Sequence, residues 1–255
     1  MIKQKFDLSG RRGIVTGASR GLGRGMAAGL SGMGADVVIA ARDEERLRRT
    51  ADELSSDGGR VLACRADVSV DDDVKRLVDV TVSEFGGIDF VFCNAGIVRR
   101  GESHVHSLDD FDDVYRVNVR SVFLLAQLCA GVMIGQGTGG SVVITDSVVS
   151  RHGSLNVPGY SASKGAVHSM IHTLANDWGR YGIRVNGIGP GFCETDMTEG
   201  IRNNPERRGH LSDRMALGRW GKPEDFAGIA AFLASEASGY ITGTTIFVDG
   251  GFLSM

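Results

Sequence analysis

The feature that most constrains this chain is a repeated alternation of short runs rich in valine and isoleucine with longer stretches of helical period. The short runs are Gly13–Thr16, Val37–Ala40, Val61–Cys64, Phe90–Cys93, Val142–Thr145, Arg184–Ile188 and Thr245–Val248. They are apolar on both faces, the pattern of strands covered by helices on each side. Between them the period predicts helices over Gly21–Met33, Asp43–Ser56, Val70–Phe85, Leu108–Met133, Tyr160–Gly179 and Pro223–Ala234. Asp43 suits a helix N-cap and Pro223 a first helical position. Strand–helix alternation requires right-handed crossovers and an open parallel sheet. With no linker or repeat, residues 1–255 read as one doubly wound α/β domain of seven parallel strands flanked by helices. The polar, weakly periodic stretch Cys193–Leu217 reads as an insertion between the sixth strand and the last helix.

Composition narrows the partners. A chain of this length buries about three quarters of its unfolded surface and needs no covalent staples. Net charge is −3 with no basic block, which argues against nucleic acid. The cysteines Cys64, Cys93, Cys129 and Cys193 form no CxxC or Cys/His cluster, so free thiols in a reducing compartment are expected and no metal. Met1 to Gly13 lacks the apolar run of a signal peptide, and eighteen apolar residues never run together. The expectation is a cytoplasmic protein without a membrane partner.

The 37 glycines are the one compositional oddity. Several sit where the first strand enters a helix, in Thr16-Gly17-Ala18-Ser19-Arg20-Gly21-Leu22-Gly23. Such glycines let backbone approach a pyrophosphate while the helix N-terminus offers free N–H groups and positive potential. Together with the alternation this points to a Rossmann fold. The spacing is longer than G-x-G-x-x-G, and a tight strand-to-helix turn looks similar. About twenty residues on, where an acidic residue grips the ribose in NAD enzymes, the chain has Ala41 and Arg42. Arg20 and Arg42 suit a ribose 2′-phosphate. Two charge-assisted bonds at ~1.5–3 kcal/mol each favour NADP over NAD by roughly a hundredfold or more. NADP(H) is therefore the expected cofactor, with NAD(H) left open.

Tyr160 and Lys164 stand four apart on one helical face. A free phenol, with a pKa of about 10, is a poor base near neutrality. An adjacent ammonium is expected to lower it toward the general acid/base range. Ser147, at the end of the fifth strand, is placed to hydrogen-bond a reacting oxygen. Each of these residues also has an ordinary structural reading.

In order and spacing, the chain resembles the short-chain dehydrogenase/reductase family along essentially its whole length. The resemblance rests on the Thr16–Gly23 turn, Asp67-Val68, Asn94-Ala95-Gly96, Asn118, Ser147, Tyr160-x-x-x-Lys164, Asn186, Pro190-Gly191, Thr195 and Asp249-Gly250-Gly251. It implies Tyr160 as general acid/base, Lys164 on the nicotinamide ribose, Ser147 polarising the carbonyl and Asn118 holding a relay water. It further implies Asp67 and Val68 at the adenine, Asn94, Ala95 and Gly96 along the cofactor cleft, and Thr195 after Pro190-Gly191 at the carboxamide. Cys193–Leu217 becomes a lid over the substrate, and a homotetramer is implied through the helices after Leu108 and Tyr160 and the last strand. Three residues depart from the family pattern: Cys93, Asp146 and Gly189.

Within the family the chain is most similar to sugar-acid dehydrogenases, of gluconate and keto-deoxy-gluconate type. Arg99 and Arg100 leave the fourth strand where ligands bind, and a guanidinium fork there suits a substrate carboxylate. Surface charge is the alternative for that pair. His152 is a further substrate candidate. A 3-oxoacyl-carrier-protein reductase is the runner-up, and a non-catalytic nucleotide-binding regulator a remote third reading.

Overall fold

A computed structural model describes residues 2–55 and 58–255. Met1 and Ser56, the ends of two stretches delimited above, lie outside them. The elements run α1 (Ile2–Phe6), β1 (Arg12–Thr16), α2 (Gly21–Gly32), β2 (Asp36–Ala41), α3 (Glu44–Ser55), β3 (Val61–Arg65), α4 (Asp71–Phe85), β4 (Phe90–Cys93) and α5 (Leu108–Tyr115). A π turn (Arg116–Arg120) leads into α6 (Ser121–Gln136), then β5 (Gly140–Thr145), α7 (Pro158–Trp178), β6 (Ile183–Pro190), α8 (Glu199–Arg202), α9 (Pro205–Ser212), α10 (Ala227–Ala234) and β7 (Thr245–Val248).

All neighbouring strands pair in parallel, in the order β3-β2-β1-β4-β5-β6-β7. The sequence therefore reverses direction between β1 and β4, and a crevice opens at the carboxyl ends of the strands beside such a switch point. Every residue of β4 is buried, as expected of a strand covered on both faces. The edge strands differ: in β3, Ala63 and Arg65 are exposed, and all four residues of β7 are only half-buried. Their apolar runs predicted two-sided cover, but an edge strand lacks a neighbour on one side.

Two cores fill the faces. Val91, Ile144 and Val185 pack with residues of α4, α6 and α7; Val15, Phe92 and Ile188 pack with residues of α2, α3 and α10. Asp43 caps α3 by accepting the Arg46 N–H (3.0 Å), and Pro223 opens the single 3-10 turn before α10.

The continuous helical stretch Leu108–Gln136 is, by length and composition, apolar enough to cross a membrane, although no eighteen residues in it are all apolar. Here it lies on the sheet, and seven residues of α6, including Leu125, Cys129 and Met133, are buried. The segment 193–217, expected to be irregular, contains two short helices. Its polar composition hid them, because α9 has no buried residue to impose a period. α1 was also missed, for the same lack of an apolar face.

Candidate active site

A cleft of about 500 Å³ lies at the switch point. Its floor begins with the glycine turn. Gly17 adopts φ +66°, and a Cβ there would come within 3.0 Å of the Ala95 Cα. A Cβ on Gly23 would sit 2.4 Å from the Gly17 carbonyl oxygen. Only glycine permits both, so the turn presses onto the chain leaving β4 while Gly21 opens α2 toward the cleft. Ser19, Arg20 and Leu22 complete this wall.

Hydrogen bonds tie three strand ends together. Thr16 Oγ1 accepts the N–H groups of Asn94 (3.0 Å) and Ala95 (3.1 Å) and donates to the Phe92 carbonyl (3.3 Å). Asn94 Nδ2 donates to the Thr16 carbonyl (2.8 Å), and Thr145 Oγ1 donates to Asn94 Oδ1 (3.2 Å). The Asn94-Ala95-Gly96 segment is thus fixed to β1 and β5, with its backbone along the cleft. Sequence reading singled out neither Thr16 nor Thr145 for this task, because a threonine at a strand end carries no signal of its partners.

Arg20 and Arg42 both face the cleft. Arg20 forms an ion pair with Asp196 across to the 193–217 segment, whereas Arg42, among the described residues, has no ion-pair partner. Asp67 and Val68 line the same end, and Asp67 Oδ1 accepts from the Ser69 N–H (2.9 Å) and hydroxyl (2.7 Å). Pro190, Gly191 and Thr195 line the opposite wall, and a Cβ on Gly191 would meet the Asp249 Cα at 2.7 Å. The donor set fits a dinucleotide: free N–H groups at a helix start, a cradle that side chains would fill, and two guanidiniums beside β2.

α7 places Tyr160 and Lys164 one turn apart, with Lys164 Nζ 5.6 Å from the Tyr160 ring centroid. Lys164 Nζ donates to the Thr145 carbonyl (2.7 Å), and the Ser147 hydroxyl is hydrogen-bonded to the Tyr160 side chain. Proximity to an ammonium was expected to lower the phenol pKa; the structure reverses that expectation. Although Tyr160 is only half-buried as a residue, its hydroxyl is crowded by protein, and burial pushes it up to about 12. The Ser147 bond and Arg100 act downward, and Asp146 and Cys193 upward. Burial likewise lowers Lys164 to about 8, opposed by Asp146.

Asn118 sits in the π turn, fully buried, outside the cleft wall but behind it. Its Nδ2 donates to the Ile97 carbonyl (2.9 Å) and to Ser163 Oγ (3.1 Å), and its Oδ1 accepts the Ile97 N–H (2.9 Å). It therefore braces the strand-to-helix connection against α7.

The expected substrate residues separate. Arg100 lines the cleft, its Nη2 donating to the Met197 carbonyl (3.3 Å); burial on the cleft side and the nearby Arg207 disfavour its charge. Arg99 turns away and is taken up by Asp110 (3.3 Å) and Asp113 (3.2 Å). His152 also lies outside the cleft, its ring 5.3 Å from that of Phe252.

The family model described as enoyl-(acyl carrier protein) reductase matches residues 17–253. A short-chain type dehydrogenase/reductase from Mycobacterium marinum is 37% identical with a TM-score of 0.94, covering 99% of both chains. This chain belongs to the short-chain dehydrogenase/reductase family. Among its relatives, 2-dehydro-3-deoxy-D-gluconate 5-dehydrogenase of Escherichia coli (strain K12) is 41% identical over 254 residues, 100% of each chain. A gluconate 5-dehydrogenase from Burkholderia cenocepacia J2315, in complex with NADP and tartrate, is 36% identical with a TM-score of 0.95 over 100% of both chains. Membership makes this short-chain dehydrogenase/reductase an oxidoreductase acting on CH–OH groups.

Proposed function

We propose that this chain is an NADP(H)-dependent oxidoreductase that interconverts the secondary hydroxyl and the ketone of a sugar acid of gluconate or keto-deoxy-gluconate type. The observation that carries the substrate class is Arg100. It stands in the same cleft as Tyr160, beside a second guanidinium, Arg207, with a backbone carbonyl as its bonded acceptor. Two guanidiniums that feel one another, neither with an ion-pair partner among the described residues, suit an anionic substrate group. The names of the Escherichia coli and Burkholderia relatives support the same class.

A bound nicotinamide supplies the hydride acceptor in oxidation and the donor in reduction. The chain's own residues handle the proton. Tyr160 gives its hydroxyl proton to the ketone oxygen in reduction and takes the alcohol proton in oxidation. Ser147 holds that oxygen by a hydrogen bond, and Lys164 holds the nicotinamide ribose hydroxyls. A neutral phenol, the form burial favours, is the proton-donating form; acting as a base calls on the positive charge of Lys164 and Arg100. Asn118 holds a water of the relay. Arg20 and Arg42 take the 2′-phosphate, and the glycine turn takes the pyrophosphate.

Residues 193–217 act as the substrate lid of the single domain 1–255; the short helices α8 and α9 and the Arg20–Asp196 pair support that reading. A homotetramer is proposed through α5–α6, α7 and β7, supported by exposed Phe123 and Ile134 and by the half-covered edge strand β7. The four buried free cysteines fit the cytoplasm.

The test follows reduced-nicotinamide absorbance with NADP and NAD against gluconate, keto-deoxy sugar acids, neutral polyols and a 3-oxoacyl thioester. Turnover of the acids with NADP, abolished in Tyr160→Phe, is expected. Turnover of the thioester alone moves the chain to acyl substrates. Activity surviving in Tyr160→Phe overturns the proton assignment.

A further inference from the structure

α7 carries a column of four polar side chains at four-residue intervals: Tyr160, Lys164, His168 and His172. The first two belong to the reaction proposed above; His168 has no part in it. Its Nδ1 lies 2.7 Å from Asp146 Oδ2, which also accepts from Thr245 Oγ1 of β7 at 3.1 Å. The Asp146 carboxylate is 0% exposed, and its second oxygen is buried without a hydrogen-bond partner. Asp146 lies between Thr145, whose carbonyl receives Lys164, and Ser147, and it lines the cleft itself. A buried carboxylate with one orphaned oxygen is expensive. A small neutral residue would fill the same place.

The surroundings define what this carboxylate faces. From α7 it meets His168, and Lys164 feels its charge; from β7 it meets Thr245. Tyr160 feels it together with Arg100 and Cys193. His168 in turn faces His172 (ring centroids 5.3 Å) and, through Nε2, the Nη1 of Arg151 at 3.4 Å. Because a guanidinium can only donate, Nε2 is the accepting nitrogen, which assigns the proton to Nδ1 and makes His168 a donor to Asp146.

We propose that Asp146, clamped by His168 and Thr245, is a positioning residue of the reacting centre. It pins the segment carrying the Thr145 carbonyl and the Ser147 hydroxyl, and it provides the buried counter-charge to the Lys164 ammonium. The inference rests on Ser147, Tyr160 and Lys164 being the reacting groups. Its charge acts on two neighbours in opposite senses. It favours the ammonium of Lys164 and disfavours the phenolate of Tyr160, so the carboxylate biases the pair toward neutral phenol plus ammonium.

The test is built on Asp146→Asn, which keeps the shape and an acceptor for His168 while removing the charge. His168→Leu removes the donor, and His168→Asn restores a donor near the Nδ1 position. The first readout needs no substrate. The ultraviolet tyrosinate band, taken as each protein minus its Tyr160→Phe counterpart, isolates Tyr160 from the other tyrosines. In Asp146→Asn its midpoint is expected to fall by roughly one pH unit. The second readout is turnover: His168→Leu is expected to lose ~tenfold in kcat at unchanged cofactor KM, with His168→Asn recovering most of it.

If Asp146→Asn is poorly folded by circular dichroism, Thr245→Val, which removes one of the two bonds, takes its place and is expected to lower kcat in the same way. A wild-type Tyr160 midpoint in Asp146→Asn, or wild-type kcat in both His168→Leu and Thr245→Val, overturns the proposal. Absence of wild-type turnover on every substrate instead indicts the functional reading, and the tyrosinate titration still decides this one.

Discussion

Replacing Arg42 with alanine is expected to shift cofactor choice more than replacing Arg20 with alanine, although both guanidiniums face the same end of the cleft. The difference lies in what each already holds. Arg20 is 57% exposed and paired with Asp196, so taking a phosphate means giving up a carboxylate. Its net contribution is the difference between two similar pairs. Arg42 is exposed and, among the described residues, has no ion-pair partner, so its whole interaction is available. A charge-assisted bond is worth ~1.5–3 kcal/mol, and screening at an exposed site reduces this to about 1 kcal/mol. A bidentate contact from Arg42 then amounts to about 2 kcal/mol, roughly thirtyfold in NADP over NAD. Arg20→Ala should change the ratio about fivefold or less, a difference of under ~1 kcal/mol. The assay is kcat/KM for NADP and NAD in wild type and both variants at one ionic strength, because screening sets the scale. An unchanged ratio in Arg42→Ala, or a larger fall in Arg20→Ala, would refute the reasoning.

Three further outcomes follow from the geometry. Arg100→Ala should raise KM for sugar acids by ~tenfold or more while sparing neutral polyols, whereas Arg99→Ala should change neither; steady-state kinetics on matched acid and polyol substrates decides it. Thr16→Val strands the Ala95 N–H, while the Asn94 N–H keeps the Phe92 carbonyl at 3.0 Å. That should cost ~1–3 kcal/mol, read as a lower urea midpoint at constant slope. Lys164→Met should make the protein inactive but more stable below pH 8. Burial lowers Lys164 from 10.5 to about 8, so the folded state releases its proton first and the unfolded state holds more protons between those values. Wild-type stability therefore rises with pH across that window, and the advantage of the variant, ~3 kcal/mol at neutral pH less the lost hydrogen bond to Thr145, should shrink there. Denaturation at pH 7 and pH 10 measures both points.

The sheet was legible because each strand run is long enough and apolar enough to leave one reading. All seven strands fall where Val, Ile and Phe cluster, and the glycine turn lies at the end of the first. The cofactor wall was legible for a different reason: Gly17 and Gly23 mark backbone contacts that no other residue allows. What remained hidden depended on distant partners. Arg99 and Arg100 are identical neighbours in sequence, yet Asp110 and Asp113 capture one and leave the other in the cleft. The phenol of Tyr160 was expected to respond to its nearest cation, but loss of water at its hydroxyl is the largest influence on it and acts upward. His168 did carry a signal, the four-residue step beyond Lys164, which a search confined to the Tyr-x-x-x-Lys pair passes over.

The division of the hydrophobic interior has a consequence for how such an enzyme changes over generations. Val148, Ile201, Met215, Trp220 and Phe252 form a small cluster of their own, apart from the two cores that flank the sheet. It carries the 193–217 segment, while Thr16, Asn94 and Thr145 lock the strand ends beneath. Under the lid role proposed above, mutations in that small cluster are expected to reshape the 193–217 segment without disturbing the hydrogen-bonded strand ends. On that proposal, substrate range is expected to drift through the surface helices while catalytic competence stays with the strand ends.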